Sequence, residues 1–208
     1  MQTLFRTYIC FVIVFFFLLT CSHLDSSPSF EFTAHHLKVQ IDPDSHHFIA
    51  VDTISISYHK NVESFYFFLH DSLTVERVGV GHQEFQIEPM RPRELKTVLA
   101  NMNRDQQQWA EHSQIVKIRI PKSLYAEHIE IRYKGSINPE SLDQVIWHPA
   151  LPDAIASYEL MVVVPKDYHI QCNATLRTEQ TNEYWRFCEW EQMQPGPCLS
   201  LKIRPTHS

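Results

Sequence analysis

One stretch decides the fold class of this chain: residues 156–176, which read ASYELMVVVPKDYHIQCNATL. Side chains alternate there with the two-residue period of a β-strand. One face of that strand carries Tyr158, Leu160, Val162 and Val164, and the other carries Met161 and Val163. Pro165 ends the strand because proline has no amide hydrogen to donate to a neighbour. We therefore predict a strand that is covered on both faces.

The rest of this stretch predicts a short return of the chain. Lys166 and Asp167 form a turn, Tyr168 to Cys172 a returning strand, and Asn173 with Ala174 a second turn. Asparagine suits the second turn because it tolerates a left-handed backbone.

Strand patterns recur along most of the chain. The runs 37–41 and 48–58 flank a turn signal at 42–45 and predict a hairpin, and the run 64–69 is apolar on both faces, which predicts a central position in a sheet. Further strands are predicted at 73–80, 116–120, 129–133, 184–190 and 199–203. We therefore predict an all-β protein whose fold is an antiparallel β-sandwich or a saddle-shaped domain.

One segment breaks the β pattern. Leu95, Val98, Leu99 and Met102 fall at helical spacing, and 93–109 contains no glycine or proline. Such spacing predicts one short amphipathic helix over 93–109. A long surface loop rich in Asn and Gln is the alternative.

The amino-terminal segment has the features of an export signal. Arg6 precedes an uncharged run from Tyr8 to Leu19, about 12 residues, which is shorter than the ~20 residues that a membrane-spanning helix needs. Cys21 lies where a bacterial lipoprotein would be cleaved and lipidated; simple cleavage and an uncleaved anchor are the alternatives. We predict a signal peptide over 1–21 and a polar linker over 22–33. Export would place the protein in the periplasm, outside the cell or anchored to a membrane, with membrane contact only through this segment.

Composition excludes some classes of function. The chain has 18 Lys and Arg against 24 Asp and Glu, a formal charge of -6, and its basic residues are dispersed. Phosphate contacts need clustered basic residues, so we predict no nucleic-acid partner. Only four glycines occur in 208 residues, which argues against a glycine-rich phosphate loop.

An ordered series of motifs resembles a known family. The series comprises HLKVQIDPD at 36–44, VDTISI at 51–56, IWHP at 146–149 and VPKDY at 164–168. It resembles the amino-terminal β-domain of the membrane alanyl aminopeptidase family of zinc metallopeptidases. The resemblance implies that 34–205 form this β-domain.

The catalytic motifs of that family do not occur in this sequence. Its enzymes bind zinc through His-Glu-x-x-His on a helix and hold the substrate amine with Gly-x-Met-Glu-Asn, and neither motif occurs in the 208 residues. We therefore predict no catalytic residue, no metal ligand and no cofactor in this chain; the resemblance implies zinc only in a catalytic domain that these residues lack. Gln144 lies in a place loosely similar to a substrate-facing glutamine of the family, and it is not counted as a site.

The histidines invite a metal interpretation. In a strand, the adjacent histidines of the pairs 35–36 and 46–47 point to opposite faces, so neither pair chelates through both members. His36 and His47 could meet across the hairpin, but no Cys or carboxylate with ligand spacing accompanies them. We interpret these residues as solvent-exposed strand histidines. Residues 70–72, His-Asp-Ser, are interpreted as a strand end and turn, because the fold and not adjacency assembles a triad.

Three cysteines follow the signal region, namely Cys172, Cys188 and Cys198. In an oxidising compartment, two of them are disulfide candidates, paired as Cys172–Cys188 or Cys188–Cys198. Three reduced thiols are the alternative.

Two functions fit these observations. The first is a non-catalytic amino-terminal β-domain of an exported zinc aminopeptidase-like protein, truncated or standing alone, which packs on a peptidase catalytic domain. The alternative is an independent secreted or lipid-anchored β-sandwich that binds a protein or peptide at a sheet edge. The first hypothesis predicts exposed apolar surface where the catalytic domain would lie.

Overall fold

The fold is taken from a computed structural model that describes residues 30–58, 62–100, 102–121, 127–152, 154–196 and 198–206. The first strands in these ranges are β1 (Phe30–Asp42), β2 (His47–Tyr58), β3 (Ser64–His70), β4 (Leu73–Val80), β5 (Gln83–Glu84) and β6 (Gln86–Glu88). Two helices follow, α1 (Pro92–Ala100) and α2 (Arg104–Ala110). The later strands are β7 (Ser113–Arg119), β8 (His128–Ser136), β9 (Ala156–Pro165), β10 (Tyr168–Cys172), β11 (Thr175–Thr181), β12 (Trp185–Gly196) and β13 (Leu201–Pro205), and a 3₁₀ turn, Pro139–Ser141, follows β8.

The described strands form one large sheet and two small ones. The large sheet has the order β11-β12-β9-β1-β2-β8-β4-β5, and the small sheets are β3-β7-β6 and β10-β13. Side chains from the small sheets share one core with the inner face of the large sheet. The prediction of an all-β sandwich is confirmed. The large sheet is mixed and not purely antiparallel, because β1 and β9 pair in parallel.

Strand β9 lies at the centre of the large sheet, between β1 and β12. Its predicted inner face is buried: Tyr158, Leu160, Val162 and Val164 are at most 3% exposed. The opposite face is not covered as predicted, because Met161 and Val163 are only half-buried and Glu159 is exposed. The strand ends at Pro165 and a turn follows, as predicted. The returning strand β10 pairs with β13 and not with β9.

The predicted first hairpin is confirmed as β1 and β2, joined by a turn in which His46 has a positive φ of 57°. Strand β1 begins at Phe30, inside the segment predicted as a linker over 22–33. Phe30 and Phe32 are buried, and their rings lie 5.6 and 6.1 Å from the ring of Phe65. Their burial adds residues 30–33 to the β-domain, which was predicted to begin at residue 34.

Strand β3 is buried on both faces but is the last strand of its sheet, so the predicted central position is wrong; its outer edge is hydrogen-bonded to the segment before β9, through Phe68 and Ala150. One face contributes Phe65, Phe67 and Leu69 to the main core. The other face is covered by a second apolar cluster, in which Phe68, Met102, Ile146 and Ala150 are buried against residues of α1. Apolar residues on both faces of a strand therefore show that both faces are covered, here by helix α1 and the segment before β9, and they do not show a central position in the sheet.

The segment predicted to hold one short helix forms two. Asn103 separates them and caps α2. Its side-chain oxygen accepts a hydrogen bond from the backbone N–H of Gln106 at 3.0 Å, and the side-chain oxygen of Gln106 accepts one from the backbone N–H of Asn103 at 2.7 Å. This reciprocal pair is a capping box. Helix α1 is tied to β7 by Lys117, whose Nζ lies 3.2 Å from Glu94.

Strand β11 was not predicted, because its side chains are mostly polar and exposed and show no alternation. It forms one edge of the large sheet by pairing with β12. No helix within the described ranges is both long and apolar enough to cross a membrane. The predicted signal peptide and Cys21 lie outside the described residues.

Candidate functional site

Four polar side chains meet inside the core near one end of β9. His35 lies on β1, Asp52 on β2, His148 in the segment before β9, and Tyr158 on β9. Each is at most 3% exposed. The parallel pairing of β1 with β9 places Tyr158 directly beside His35, and the hairpin register places Asp52 beside Leu37, two residues further along β1. We call these four residues the buried cluster.

His35 makes the central contacts of the buried cluster. Its Nδ1 lies 2.7 Å from Oδ2 of Asp52. Its ring stacks on the ring of Tyr158, with centroids 5.0 Å apart and an angle of 11° between the planes. The ring of His148 meets the rings of His35 and Tyr158 edge-on, at 5.3 and 5.5 Å. Each ring of the cluster therefore contacts the other two.

His148 is held as a neutral imidazole. Its pKa is lowered to about 3, chiefly by burial and also by nearby His35, against the opposing effect of a hydrogen bond from His148 to the Pro149 carbonyl. Nδ1 lies 3.1 Å from that carbonyl oxygen. A carbonyl only accepts, so Nδ1 carries the proton and Nε2 carries the lone pair. Nε2 is buried and has no hydrogen-bond partner among the described residues.

Asp52 provides the second buried acceptor atom of the cluster. Its Oδ1 is buried and lacks a hydrogen-bond partner in the part of the chain that the structure describes. A buried carboxylate is costly unless its oxygens are paired. The Tyr133 hydroxyl and Trp147 Nε1, in the same core, are also unpartnered there. Burial raises the pKa of Tyr133 well above its usual value, and Asp52 raises it further.

Tyr158 extends the cluster toward Cys198. Burial raises the pKa of the Tyr158 hydroxyl, and its contact with Cys198 adds to this effect. The pKa of the Cys198 thiol is raised to about 11, chiefly by burial. Both groups are therefore neutral at physiological pH. The buried cluster thus brings a neutral imidazole and a carboxyl group together inside the core.

The interpretation of His35 as a solvent-exposed strand histidine is wrong. His35 continues the buried face of Leu37, Val39 and Ile41 at two-residue spacing, and Asp52 continues the buried face of β2 in the same way. That periodicity was the available signal for both residues. His36 faces outward, where its Nδ1 lies 2.9 Å from Glu159. It does not meet His47, because His36 pairs with Thr53 and His47 with Asp42.

Residues 70–72 do not form a hydrolase triad. In a triad the carboxylate holds one ring nitrogen of histidine and the serine contacts the other. Here Ser72 Oγ and Asp71 Oδ1 both lie near Nδ1 of His70, at 2.7 and 3.4 Å. His70 ends β3 and the next two residues form a turn, as predicted.

Of the other predicted residues, Cys198 contacts Tyr158 of the buried cluster, whereas Gln144, Cys172 and Cys188 lie elsewhere in the fold. Gln144 is exposed in a turn, where its backbone N–H donates to the backbone carbonyl of Ser141 at 2.9 Å. Cys172 ends β10, Cys188 lies on β12 and Cys198 precedes β13, and all three are free thiols in the structure. Whether two of them pair in an oxidising compartment remains a prediction.

An open groove of about 360 Å³ crosses the outer face of the large sheet. Its charged lining comprises His36, Lys38, Glu159, Arg177, Glu189 and Glu191. His36 pairs with Glu159, and Arg177 pairs with Glu191. Four of these six side chains are therefore paired with one another.

Comparison with known proteins identifies the fold. No protein-family model and no curated protein sequence matches this chain. The solved structure of the M1 zinc metallopeptidase from Deinococcus radiodurans matches with a TM-score of 0.63 and 14% identity, over 85% of this chain and 42% of that one. A mutant of that enzyme matches with a TM-score of 0.62 and 14% identity, over 86% of this chain and 43% of that one. The same mutant bound to a Tyr-Ser-Ala substrate gives a TM-score of 0.62 at 13% identity.

The match covers most of this chain but less than half of the metallopeptidases. At 14% identity it concerns the fold and not the chemistry. The chain therefore shares its fold with part of an M1 zinc metallopeptidase, and the resemblance inferred from the sequence is confirmed at that level.

Proposed function

We propose that this chain is the non-catalytic amino-terminal β-domain of an exported zinc aminopeptidase-like protein and that it packs against a peptidase catalytic domain. One observation carries the proposal: 86% of the chain superposes on only 43% of an M1 zinc metallopeptidase. More than half of that enzyme has no counterpart in these residues. The absence of His-Glu-x-x-His from the 208 residues supports a non-catalytic role for them.

Exposed apolar side chains support one end of the large sheet as the docking surface. Ile155 and Met193 are each 64% exposed. Ile155 immediately precedes β9, and Met193 lies in the irregular part of β12 between Gln192 and Gly196, where Gly196 pairs with Ala156. Both therefore belong to the same end of the sheet. Large apolar side chains that are exposed together are typical of interaction surfaces.

Tyr184 provides a matched control. It is 66% exposed, as much as Ile155, but it precedes β12 and lies at the opposite end of that strand, where its carbonyl accepts from Lys166 beyond Pro165. On this proposal, a partner that covers the end of the sheet near Ile155 does not contact Tyr184.

Site-specific photo-crosslinking tests the docking. A photoreactive amino acid replaces Ile155 in the protein expressed in its native cells, and the crosslinked peptides are identified by mass spectrometry. We expect crosslinks to a segment that contains His-Glu-x-x-His, in the same polypeptide or another, and few or none from Tyr184. A monomer without crosslinks, or crosslinks to a partner without a zinc-peptidase motif, would reject the proposal and favour the independent binding module.

Export is tested separately. We expect the mature protein to begin at or near Cys21, and mass spectrometry of its amino terminus checks this. Metabolic labelling with a fatty acid, compared between wild type and Cys21→Ser, distinguishes lipidation from simple cleavage. A mature protein that retains Met1 in the cytoplasm would reject export.

A further inference from the structure

We propose that the buried cluster is a binding site for one divalent transition-metal ion, held by His35, Asp52 and His148. Each of these residues offers one ligand atom, and the three atoms lie within 4.8 Å of one another. All three side chains are buried. The proposal stands apart from the proposed docking function, because it concerns the interior of the β-domain.

The acceptor atoms of His148 and Asp52 carry the inference. His148 Nε2 and Asp52 Oδ1 are both buried and unpartnered among the described residues. An imidazole lone pair and a carboxylate oxygen both coordinate first-row divalent metals. A cation between them would satisfy both atoms at once and neutralise the buried negative charge.

The surroundings of His148 match those of a metal-bound histidine. Ligating histidines usually donate their second ring N–H to a carbonyl or carboxylate, which fixes the ring and leaves the other nitrogen free for the metal. Nδ1 of His148 makes this bond to the Pro149 carbonyl at 3.1 Å.

His35 completes the ligand set. Its Nδ1 and Asp52 Oδ2 are 2.7 Å apart and share a hydrogen-bond proton, so both atoms can coordinate one ion when metal binding releases that proton to solvent. Ligand atoms on a tetrahedral zinc ion, with bonds of about 2.0–2.1 Å, are separated by about 3.4 Å. Small side-chain movements are therefore needed to close the site around an ion.

The residue types favour zinc or another first-row divalent transition metal. Two imidazoles and one carboxylate leave a fourth position on a tetrahedral ion. Magnesium and calcium prefer oxygen ligands and are disfavoured by two histidines. Tyr158, Phe32 and Trp147 surround the site with aromatic rings and would shield it from solvent.

An internal water is the competing occupant. Tyr133 and Trp147 supply donors that have no partner within the described ranges, in the same core as the two unpartnered acceptors, and a water can both donate and accept. The experiment must therefore distinguish an ion from a water.

Metal binding by the purified full chain is the test. The protein is stripped with a chelator, and Zn²⁺ or Co²⁺ is added as the probe. We expect one tightly bound equivalent, a visible absorption spectrum typical of low-coordinate Co²⁺, and a rise in unfolding temperature with zinc concentration. Asp52→Asn and His148→Gln should each weaken binding by roughly 100-fold or more, since even outer-shell changes cost ~10–100-fold. His36→Gln and His47→Gln, at exposed positions, should leave it unchanged.

Crystals of the wild-type chain grown with Zn²⁺ make the result independent of how the variants fold. We expect an anomalous-scattering peak at the zinc edge within about 2.0–2.2 Å of atoms of His35, Asp52 and His148. A water at this position, or zinc bound only at surface histidines, would overturn the proposal. So would full binding by folded Asp52→Asn. A crosslinking failure at Ile155 leaves these outcomes unaffected, so the two proposals fail independently.

Discussion

Mild acid should destabilise this domain through His148. Its pKa is about 3 in the folded chain against an ordinary value of 6.5, so between these values the unfolded state binds a proton that the folded state does not. Stability is therefore present above pH 6.5 and is lost as the pH falls toward 3. At pH 5 the difference is 6.5 minus 5, or about 1.5 pKa units, which at 1.36 kcal/mol each amounts to about 2 kcal/mol. That is a large part of a typical stability of ~5–15 kcal/mol.

Denaturant unfolding at pH 7 and pH 5, with a chelator present, measures this loss. Wild type should lose about 2 kcal/mol more than His148→Asn, which has no imidazole to protonate. His82→Asn, at an exposed turn position, should lose as much as wild type. Equal losses in wild type and His148→Asn would refute the reasoning. If that variant does not fold, nitrogen NMR of wild type at pH 5 decides, because the argument requires a neutral His148 with its proton on Nδ1.

Three further stability predictions can be checked by denaturant unfolding. Leu160→Ala, in the centre of β9, should cost about 2–5 kcal/mol, whereas Leu176→Ala, 48% exposed, should stay within ~0.5 kcal/mol; similar losses would contradict the assignment of the core. Gly135→Ala should cost on the order of 1–3 kcal/mol, because a Cβ there would lie 2.2 Å from the Ser72 carbonyl oxygen, and an unchanged midpoint would disprove that close approach. Asn103→Ala should cost about 1 kcal/mol by removing the cap of α2, and no loss would show that the capping box is dispensable.

The sequence predicted those elements whose burial is one-sided. The runs at 37–41 and 129–133 alternate because only one face of each strand lies in the core, and each was found as a strand. The run at 158–164 was also found as a strand, but the coverage predicted for both of its faces was wrong. Strand β3 shows the limit of this reasoning, since apolar residues on both faces do not distinguish a central strand from the last strand of a sheet when both of its faces are covered. Strand β11 carries no alternation and could not be found in this way.

The buried cluster was only partly accessible from sequence. His35 and Asp52 each continue the buried face of their own strand, so their burial could be read from the two-residue period. Their contact depends on the hairpin register, which the turn sets. His148 lies in a segment without alternation, and only the packing of that segment beside β9 brings its ring to Tyr158. No local pattern could have joined residues so far apart in the chain.

The parallel pairing of β1 with β9 affects how the chain is made. His36 pairs with Glu159, 123 residues later, so one edge of the first hairpin has no partner until β9 leaves the ribosome. At ~5–20 residues per second this interval lasts roughly 6–25 seconds. During that time an open strand edge and an apolar face are exposed to other chains. The central pairing of the large sheet therefore cannot form until more than three quarters of the 208 residues have been synthesised.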